Sequence, residues 1–222
     1  RGNANKMMNK ILIAAEQRHG LLISSLEGGN MRNAIPREAY AIVSVPVKQT
    51  DALKNLVKET ESSYKKELSD DPNFSITIED IEMPKKFIDT GTAKNLLKAI
   101  YECPNGVVSM DKSMPEIVET STNMAIVKSE SGKINLLFLL RSSVEAAKKD
   151  LRNVMKGIFE KYKAKVEFSG DYPGWAPNPN SPILNTMKEV YNKNFGKIPE
   201  VKVIHAGLEC GLFLEKYPHL DM

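Results

Sequence analysis

The sequence predicts an α+β fold in which antiparallel sheets carry helices on one face, followed by a smaller, incomplete α/β piece. Apolar residues recur at helical spacing in some segments and alternate with polar residues in others. The order helix-strand-strand-helix-strand occurs twice, in residues 1–88 and again in residues 89–168. Hairpins flanked by helices favour antiparallel sheets with the helices on one face, so the repetition indicates duplicated ferredoxin-like sheets.

The first repeat has recognisable start and stop signals. Asn3 or Asn5 can cap an opening helix, Gly28-Gly29 supplies a turn that tolerates positive φ, and Pro46 closes the second strand. The elements predicted for residues 1–88 are a helix over 3–17, strands over 21–26 and 38–45, a helix over 50–68 and a strand over 74–78. The first strand of a complete ferredoxin-like unit is expected before residue 1.

The second repeat follows the same order with different side chains. Gly132 marks a turn between two strands, the second of which is continuously apolar. The elements predicted for residues 89–168 are a helix over 92–101, strands over 122–127 and 134–140, a helix over 144–161 and a strand over 164–168.

A linker is predicted over residues 169–182, because four prolines and two glycines cannot lie in a regular element. Trp175, the only tryptophan, falls in this segment, where we expect it to pin the linker to a domain. Residues 183–222 follow with one helix and a short strand over 202–204. This piece is too small to form its own core, so it needs partner elements outside the sequence.

Composition limits the classes of function. The net charge of +3, from 31 basic and 28 acidic side chains, is too balanced to favour nucleic acid or a membrane surface as a partner. No apolar run approaches the ~20 residues that span a bilayer. Cys103 and Cys210 lie far apart and match no disulfide or zinc-finger spacing, which favours free thiols and a cytoplasmic location.

The start of the chain, Arg1-Gly2-Asn3, has neither an initiator methionine nor the layout of a signal peptide. We therefore expect the chain to begin inside a longer protein.

One candidate functional site is the segment VIHAGLECGLF at residues 203–213. His205 and Glu209 follow the carboxyl end of an apolar strand, which is where open α/β sheets bind ligands. A helix starting within residues 206–214 would offer free N–H groups to an anion. The alternative is a structural turn with a buried histidine and a capping carboxylate. The spacing does not match the zinc-binding helix motif with two histidines four apart.

Two further candidates are Asn33 and Arg141. Asn33 lies in a polar loop after Gly28-Gly29, and it either presents its amide to a ligand or belongs to an ordinary hairpin loop. Arg141 directly follows a predicted apolar strand, where its guanidinium either forms a structural ion pair or binds a substrate carboxylate bidentately.

Several long motifs together carry a resemblance to bacterial aminoacyl-histidine dipeptidases, which are di-zinc metallopeptidases related to carnosinases. The motifs, in chain order, are RGNANK, GGNMRNAIPREA, ECPNGVVSMDKSMPEIVETSTNMAIV, LLRSSVEAAK, SGDYPGWAPNPNSPIL and HAGLECGLF. The resemblance extends over the whole chain.

The resemblance implies how the domains are organised, and that this chain is a fragment of a longer enzyme. Residues 1–88 and 89–168 resemble two halves of a lid, residues 169–182 a linker, and residues 183–222 part of a catalytic domain. In that family most metal ligands lie in a His-x-Asp motif and a Glu-Glu pair upstream of the lid, and neither is expected here. The chain is therefore expected to contain no catalytic residue and no metal ligand, and to be inactive alone.

The resemblance also implies what the intact enzyme does. Two zinc ions would serve the hydrolysis of aminoacyl-histidine dipeptides, with the lid closing over the substrate, and the lid is a candidate surface for a homodimer. By the same resemblance Asn33, Arg141, His205 and Glu209 would contact the dipeptide. The alternative is a stand-alone α/β dimerisation or RNA-binding module, which would need exposed aromatic side chains and a basic face on its sheet. The predicted strands are instead mainly aliphatic.

Overall fold

The computed structural model describes residues 2–112, 114–175, 178, 180–203 and 208–222. Helices and strands alternate along it much as the sequence predicts. The elements are α1 (Ala4–His19), β1 (Leu22–Gly28), β2 (Ala39–Ser44), a 3₁₀ turn (Val47–Gln49), α2 (Thr50–Glu67), α3 (Thr90–Glu102), β3 (Gly106–Met110), β4 (Val118–Glu130), β5 (Lys133–Ser142), α4 (Glu145–Lys161), α5 (Pro182–Phe195) and α6 (Glu209–Lys216).

The described strands form one five-stranded sheet in the order β2-β1-β4-β3, with β5 also paired to β4. β1 runs antiparallel to β2 and β4, and β3 runs antiparallel to β4. The predicted α+β class with antiparallel strands and helices is confirmed. The duplicated sheets predicted from the repeated order are joined, because β4 pairs with β1 at residues 127–128 and with β3 at residues 118–122.

Within the two repeats, three details of the strand prediction were wrong. Residues 74–78 and 164–168 are in neither a helix nor a strand, and β3 was not predicted. Phe74 packs its ring edge-on against Tyr64 of α2, with the centroids 5.9 Å apart. The alternation in residues 74–78 therefore reflects side-chain burial without pairing to a neighbouring strand. Lys202 and Val203 of the predicted strand over 202–204 are also irregular, and Ile204 lies outside the described residues.

The chain divides into two compact units. The first unit contains residues 1–104, 123–139 and 157–165, and the second contains residues 105–122, 140–156 and 166–222. Both units draw on residues 89–168, and the division of the lid at residues 88 and 168 stays a prediction.

The core of the first unit lies between α1, α2, α3 and one face of the sheet. Its buried apolar side chains are Leu12, Ala15, Leu21, Ile23, Leu26, Leu53, Val57, Ala93, Leu97, Ile100, Met124 and Val127. Alternation leaves Tyr40 and Ile42 of β2 exposed on the opposite face. The helices on one face were thus predictable from the apolar periodicity.

Polar side chains of α1 add specific contacts to this core. Asn9 Nδ2 donates to the carbonyl of Leu97 at 3.0 Å. Lys6 Nζ donates to the carbonyls of Ile100 and Cys103 at the end of α3, the second at 2.7 Å. A lysine at the C-terminus of a helix supplies donors to carbonyls that have no partner within that helix. These contacts fix α1 against α3.

The second unit is less enclosed. Leu151 and Met155 of α4 are buried, whereas α5 has no buried residue along its length. Ile183, Met187 and Val190, which recur at helical spacing along it, are 42%, 60% and 47% exposed. The apolar face of α5 therefore has no cover among the described residues, as expected for a piece too small to form a core. No described helix has the length and apolar character needed to cross a membrane.

Candidate functional site

Asn33 lies on the loop between β1 and β2, in the first unit. The loop leaves β1 through Gly28 and Gly29, and Gly29 has the left-handed φ of +72° that the sequence predicts for this turn. Asn123 Nδ2 donates to the carbonyl of Ala34 at 2.7 Å, and the N–H of Ala4 donates to the carbonyl of Pro36 at 3.1 Å. The side chain of Asn33 is exposed. The loop is therefore held at two points while it presents Asn33 to solvent.

The anchor of this loop is a cluster of asparagines that sequence analysis did not assign to the site. Asn3 Oδ1 caps α1 by accepting from the N–H of Lys6 at 3.1 Å, which selects Asn3 from the two caps considered. Asn3 Nδ2 donates to Asn123 Oδ1 and to the carbonyl of Met124, both at 3.0 Å. Asn5 Nδ2 donates to the carbonyl of Gly28 at 3.3 Å. The start of α1, the end of β1 and the middle of β4 are thereby tied together.

Arg141 belongs to the second unit. It lies inside β5, one residue before the strand ends, and not after the strand as predicted. The side chain is half-buried and interacts with neighbouring groups. Next to it, the hydroxyls of Ser142 and Thr120 are 2.8 Å apart, and the N–H of Ser143 donates to the carbonyl of Glu119 at 3.1 Å. These contacts fix the end of β5 against the start of β4.

Glu209 is the first residue of α6 and is exposed. The helix predicted within residues 206–214 is present over Glu209–Lys216, with Leu208 as its N-cap. A carboxylate in the first turn of a helix is stabilised by the helix dipole. His205 lies outside the described residues.

The chain before α5 passes close to this helix. A Cβ on Gly211 would lie 3.0 Å from the carbonyl oxygen of Pro173. The pKa of Tyr172 is raised by burial and, next in size, by the charges of Glu209 and Cys210. Residues 172–174 and the first turn of α6 are thus neighbours in the second unit.

No group of three or more metal-ligating side chains is present among the described residues. We expected no His-x-Asp motif, but residues 219–221 have that spacing, so this expectation was wrong. Asp221 Oδ2 accepts a hydrogen bond from the N–H of Ile183 at 2.7 Å, and His219 contacts the ring of Tyr217. In the structure Asp221 thus caps the N-terminus of α5. Cys103 and Cys210 are both free thiols, as predicted.

The helices and strands at the start of the first unit match a known family of domains. Residues 1–72 match the family model of the peptidase dimerisation domain. The whole chain is 33% identical to the cytosol non-specific dipeptidase of Escherichia coli (strain K12), over 222 residues that are 100% of this chain and 46% of that protein.

A solved structure of a dipeptidase matches the whole chain. The crystal structure of aminoacylhistidine dipeptidase from Vibrio alginolyticus matches with a TM-score of 0.93 and 35% identity, over 100% of this chain and 46% of that one. The resemblance to aminoacyl-histidine dipeptidases is therefore confirmed. The chain spans about half the length of the relatives it matches.

Proposed function

We propose that this chain is part of a longer, metal-dependent dipeptidase that hydrolyses aminoacyl-histidine dipeptides in the cytoplasm. The observation that carries the proposal is the similarity of all 222 residues to a dipeptidase structure at a TM-score of 0.93. The cytosol non-specific dipeptidase that is 33% identical supports dipeptidase activity and the cytoplasmic location. Both relatives are about twice as long as this chain, which supports assigning the remaining parts of the enzyme to residues outside it.

Within this enzyme we assign substrate contacts to Asn33, Arg141, His205 and Glu209. The exposed amide of Asn33, on a loop held by Asn123 and Ala4, is suited to donate to a peptide carbonyl. The guanidinium of Arg141 is suited to bind the dipeptide carboxylate through two parallel hydrogen bonds. Glu209 is suited to bind the free amino group of the dipeptide.

The described residues do not form a metal site. By the resemblance to the dipeptidases, we assign the two zinc ions to residues outside this chain, and we assign this chain no step in the activation of water. Its proposed part is to bind and orient the dipeptide and to close over it as a lid, which excludes water from the reaction. The match of residues 1–72 to a peptidase dimerisation domain supports a homodimer formed through this lid.

The proposal is tested by expressing both the longer protein and the 222-residue chain. The longer protein should hydrolyse β-alanyl-histidine, lose the activity with a chelator and regain it with zinc. The 222-residue chain should be inactive and should not bind zinc at micromolar concentration in calorimetry. Hydrolysis by the short chain, or zinc binding that His205→Ala abolishes, would contradict the division of roles. A longer protein without dipeptidase activity would contradict the proposed function.

A further inference from the structure

The segment Asp171–Gly174, which we call the crossing segment, is packed closely against two other parts of the second unit. A Cβ on Gly174 would lie 2.5 Å from the carbonyl oxygen of Ser143, a distance too short for any side chain. Gly211 of α6 is also close to the segment, because a Cβ there would lie 3.0 Å from the carbonyl oxygen of Pro173. The backbone of the crossing segment therefore lies close both to Ser143, just after β5, and to the first turn of α6. Glycine at both positions permits this approach.

Lys148 of α4 binds the crossing segment directly. Its side chain is 7% exposed, although lysine is seldom buried unless its charge is paired. Lys148 Nζ donates to the carbonyl of Tyr172 at 2.7 Å, and it forms ion pairs with Asp171 at 2.8 Å and Glu145 at 2.9 Å. An ammonium has three donors, and these three partners satisfy all of them. The orientation of Lys148 is consequently fixed.

Arg152, one turn further along α4, reinforces the same contact. Its Nη1 is 3.1 Å from Asp171 Oδ2, and its guanidinium carbon lies 4.6 Å from the ring centroid of Phe168. Asp171 thus accepts from two cations on one face of α4.

The electrostatics keep Lys148 and Asp171 charged at neutral pH. Burial acts to lower the pKa of Lys148, but its hydrogen bonds and ion pairs with Asp171 and Glu145 outweigh burial and raise it. The hydrogen bond from Lys148 is the main cause that lowers the pKa of Asp171.

We propose that Lys148 is a positioning residue, which fixes the crossing segment against α6 and thereby holds Glu209 in place for the substrate. Glu209 lies two residues before Gly211, in the same helical turn that contacts the crossing segment. Without Lys148, the crossing segment remains attached to α4 through the ion pair of Asp171 with Arg152, but it is held less firmly, and so is its contact with α6. The substrate part of this inference rests on the proposed function, whereas the fixing of the segment does not.

Trp175 directly follows the crossing segment and is the only tryptophan of the chain, so its fluorescence reports on the segment without any activity. In the 222-residue chain, Lys148→Met and Asp171→Asn should shift Trp175 emission to the red and increase its quenching by acrylamide. The matched control is Lys149→Met, because Lys149 is the adjacent lysine on the exposed face of α4. Far-UV circular dichroism verifies folding, and Asp171→Asn serves if Lys148→Met does not fold. Unchanged emission in a folded variant would overturn the fixing role.

Kinetics of the longer protein test the positioning role. Displacing a substrate-binding group by about 1 Å can cost up to about a hundredfold, so Lys148→Met should lower kcat/KM by about tenfold to a hundredfold, mainly through KM. Glu209→Gln should lower it similarly, and the double variant should lose little more than either single variant, because both changes remove one interaction with the substrate. Lys149→Met should leave kcat and KM unchanged.

The outcomes separate the two proposals. Additive losses in the double variant, or an altered Tm with unchanged kinetics, would show that Lys148 is only structural. If the longer protein hydrolyses no dipeptide, the proposed function and the substrate role of Glu209 fail together, while the fluorescence of Trp175 still decides whether Lys148 fixes the segment.

Discussion

Gly29 is the position where a single added methyl group should disturb the first unit most. Its φ is +72°, and a Cβ there would lie 1.9 Å from the backbone carbonyl oxygen of Ala125. Ala125 is completely buried in β4, so its carbonyl cannot move without moving the strand. Gly29→Ala therefore forces either the loop or the centre of the sheet to shift.

The expected cost has two parts. Alanine in the left-handed region costs roughly 1–2 kcal/mol, of which about 0.4–1 kcal/mol is offset because alanine restricts the unfolded chain. Overpacking against backbone atoms typically adds about 1–3 kcal/mol. Gly29→Ala should thus destabilise the first unit by about 2–4 kcal/mol.

Gly20 offers a matched control in the same unit. It caps α1 with a φ of +65°, but a Cβ there meets no atom within 4 Å. Gly20→Ala therefore carries only the conformational part, about 0.5–1 kcal/mol after the same offset. The difference between the two variants isolates the contact with Ala125.

Urea and thermal unfolding of both variants, followed by circular dichroism, provide the measurement. At about 2–4 °C per kcal/mol for a chain of this size, Tm should fall by about 5–15 °C in Gly29→Ala and by at most a few degrees in Gly20→Ala. Equal losses in the two variants would refute the argument from close contact, and a stable Gly29→Ala variant would refute the described position of the loop.

Two further predictions concern substrate binding and pH. In the longer protein, Arg141→Ala and Asn33→Ala should each lower kcat/KM by about ten- to a hundredfold with folding retained, because a hydrogen bond to a charged group contributes roughly 1.5–3 kcal/mol. Wild-type kinetics in either variant would contradict its substrate role. For Arg141, a lower Tm with unchanged kinetics would instead support a structural ion pair. Because the folded-state pKa of Asp171 is lowered from its ordinary 3.8, its contribution to stability should be present above that pH and disappear as the pH falls through the lowered pKa. The unfolding midpoint of the wild-type chain should therefore fall more steeply below pH 4 than that of Asp171→Asn, and parallel curves would contradict this.

The sequence determined the elements whose signals are local. Apolar residues at helical spacing located all four helices of the two repeats, and Gly28-Gly29, Pro46 and Gly132 located the ends of strands. Ser131 and Gly132 both have positive φ, which is the two-residue hairpin turn that a glycine there indicates. Such signals are readable because propensity, capping and turn geometry depend on neighbours within a few residues.

Strand pairing was not determined in this way. Residues 74–78 alternate like a strand, but they lie in no strand of the described sheet, and Phe74 packs against Tyr64 of α2. The strand β3 was missed because its sequence, GVVSM, has two adjacent valines and so no alternation of apolar and polar residues; in the structure both valines are exposed. The joining of the repeats through β4 depends on pairing between residues far apart, for which the sequence carries no local signal.

For the candidate site, the sequence determined residue types and the tertiary structure decided their surroundings. Asn33, Arg141 and Glu209 are candidates from the sequence and its resemblance, and their site role stays a prediction. The loop of Asn33 is held by Asn123, whose side chain donates to the carbonyl of Ala34 across 89 positions of the chain. For Lys148, the sequence does contain a signal of a buried role. Lys148 lies on the same helical face as Leu151 and Met155, and a charged side chain there needs buried partners. Its partners, Asp171 and the carbonyl of Tyr172, are brought to α4 only by folding, because the packing of backbone against Gly174 and Gly211 is set by contacts between distant segments.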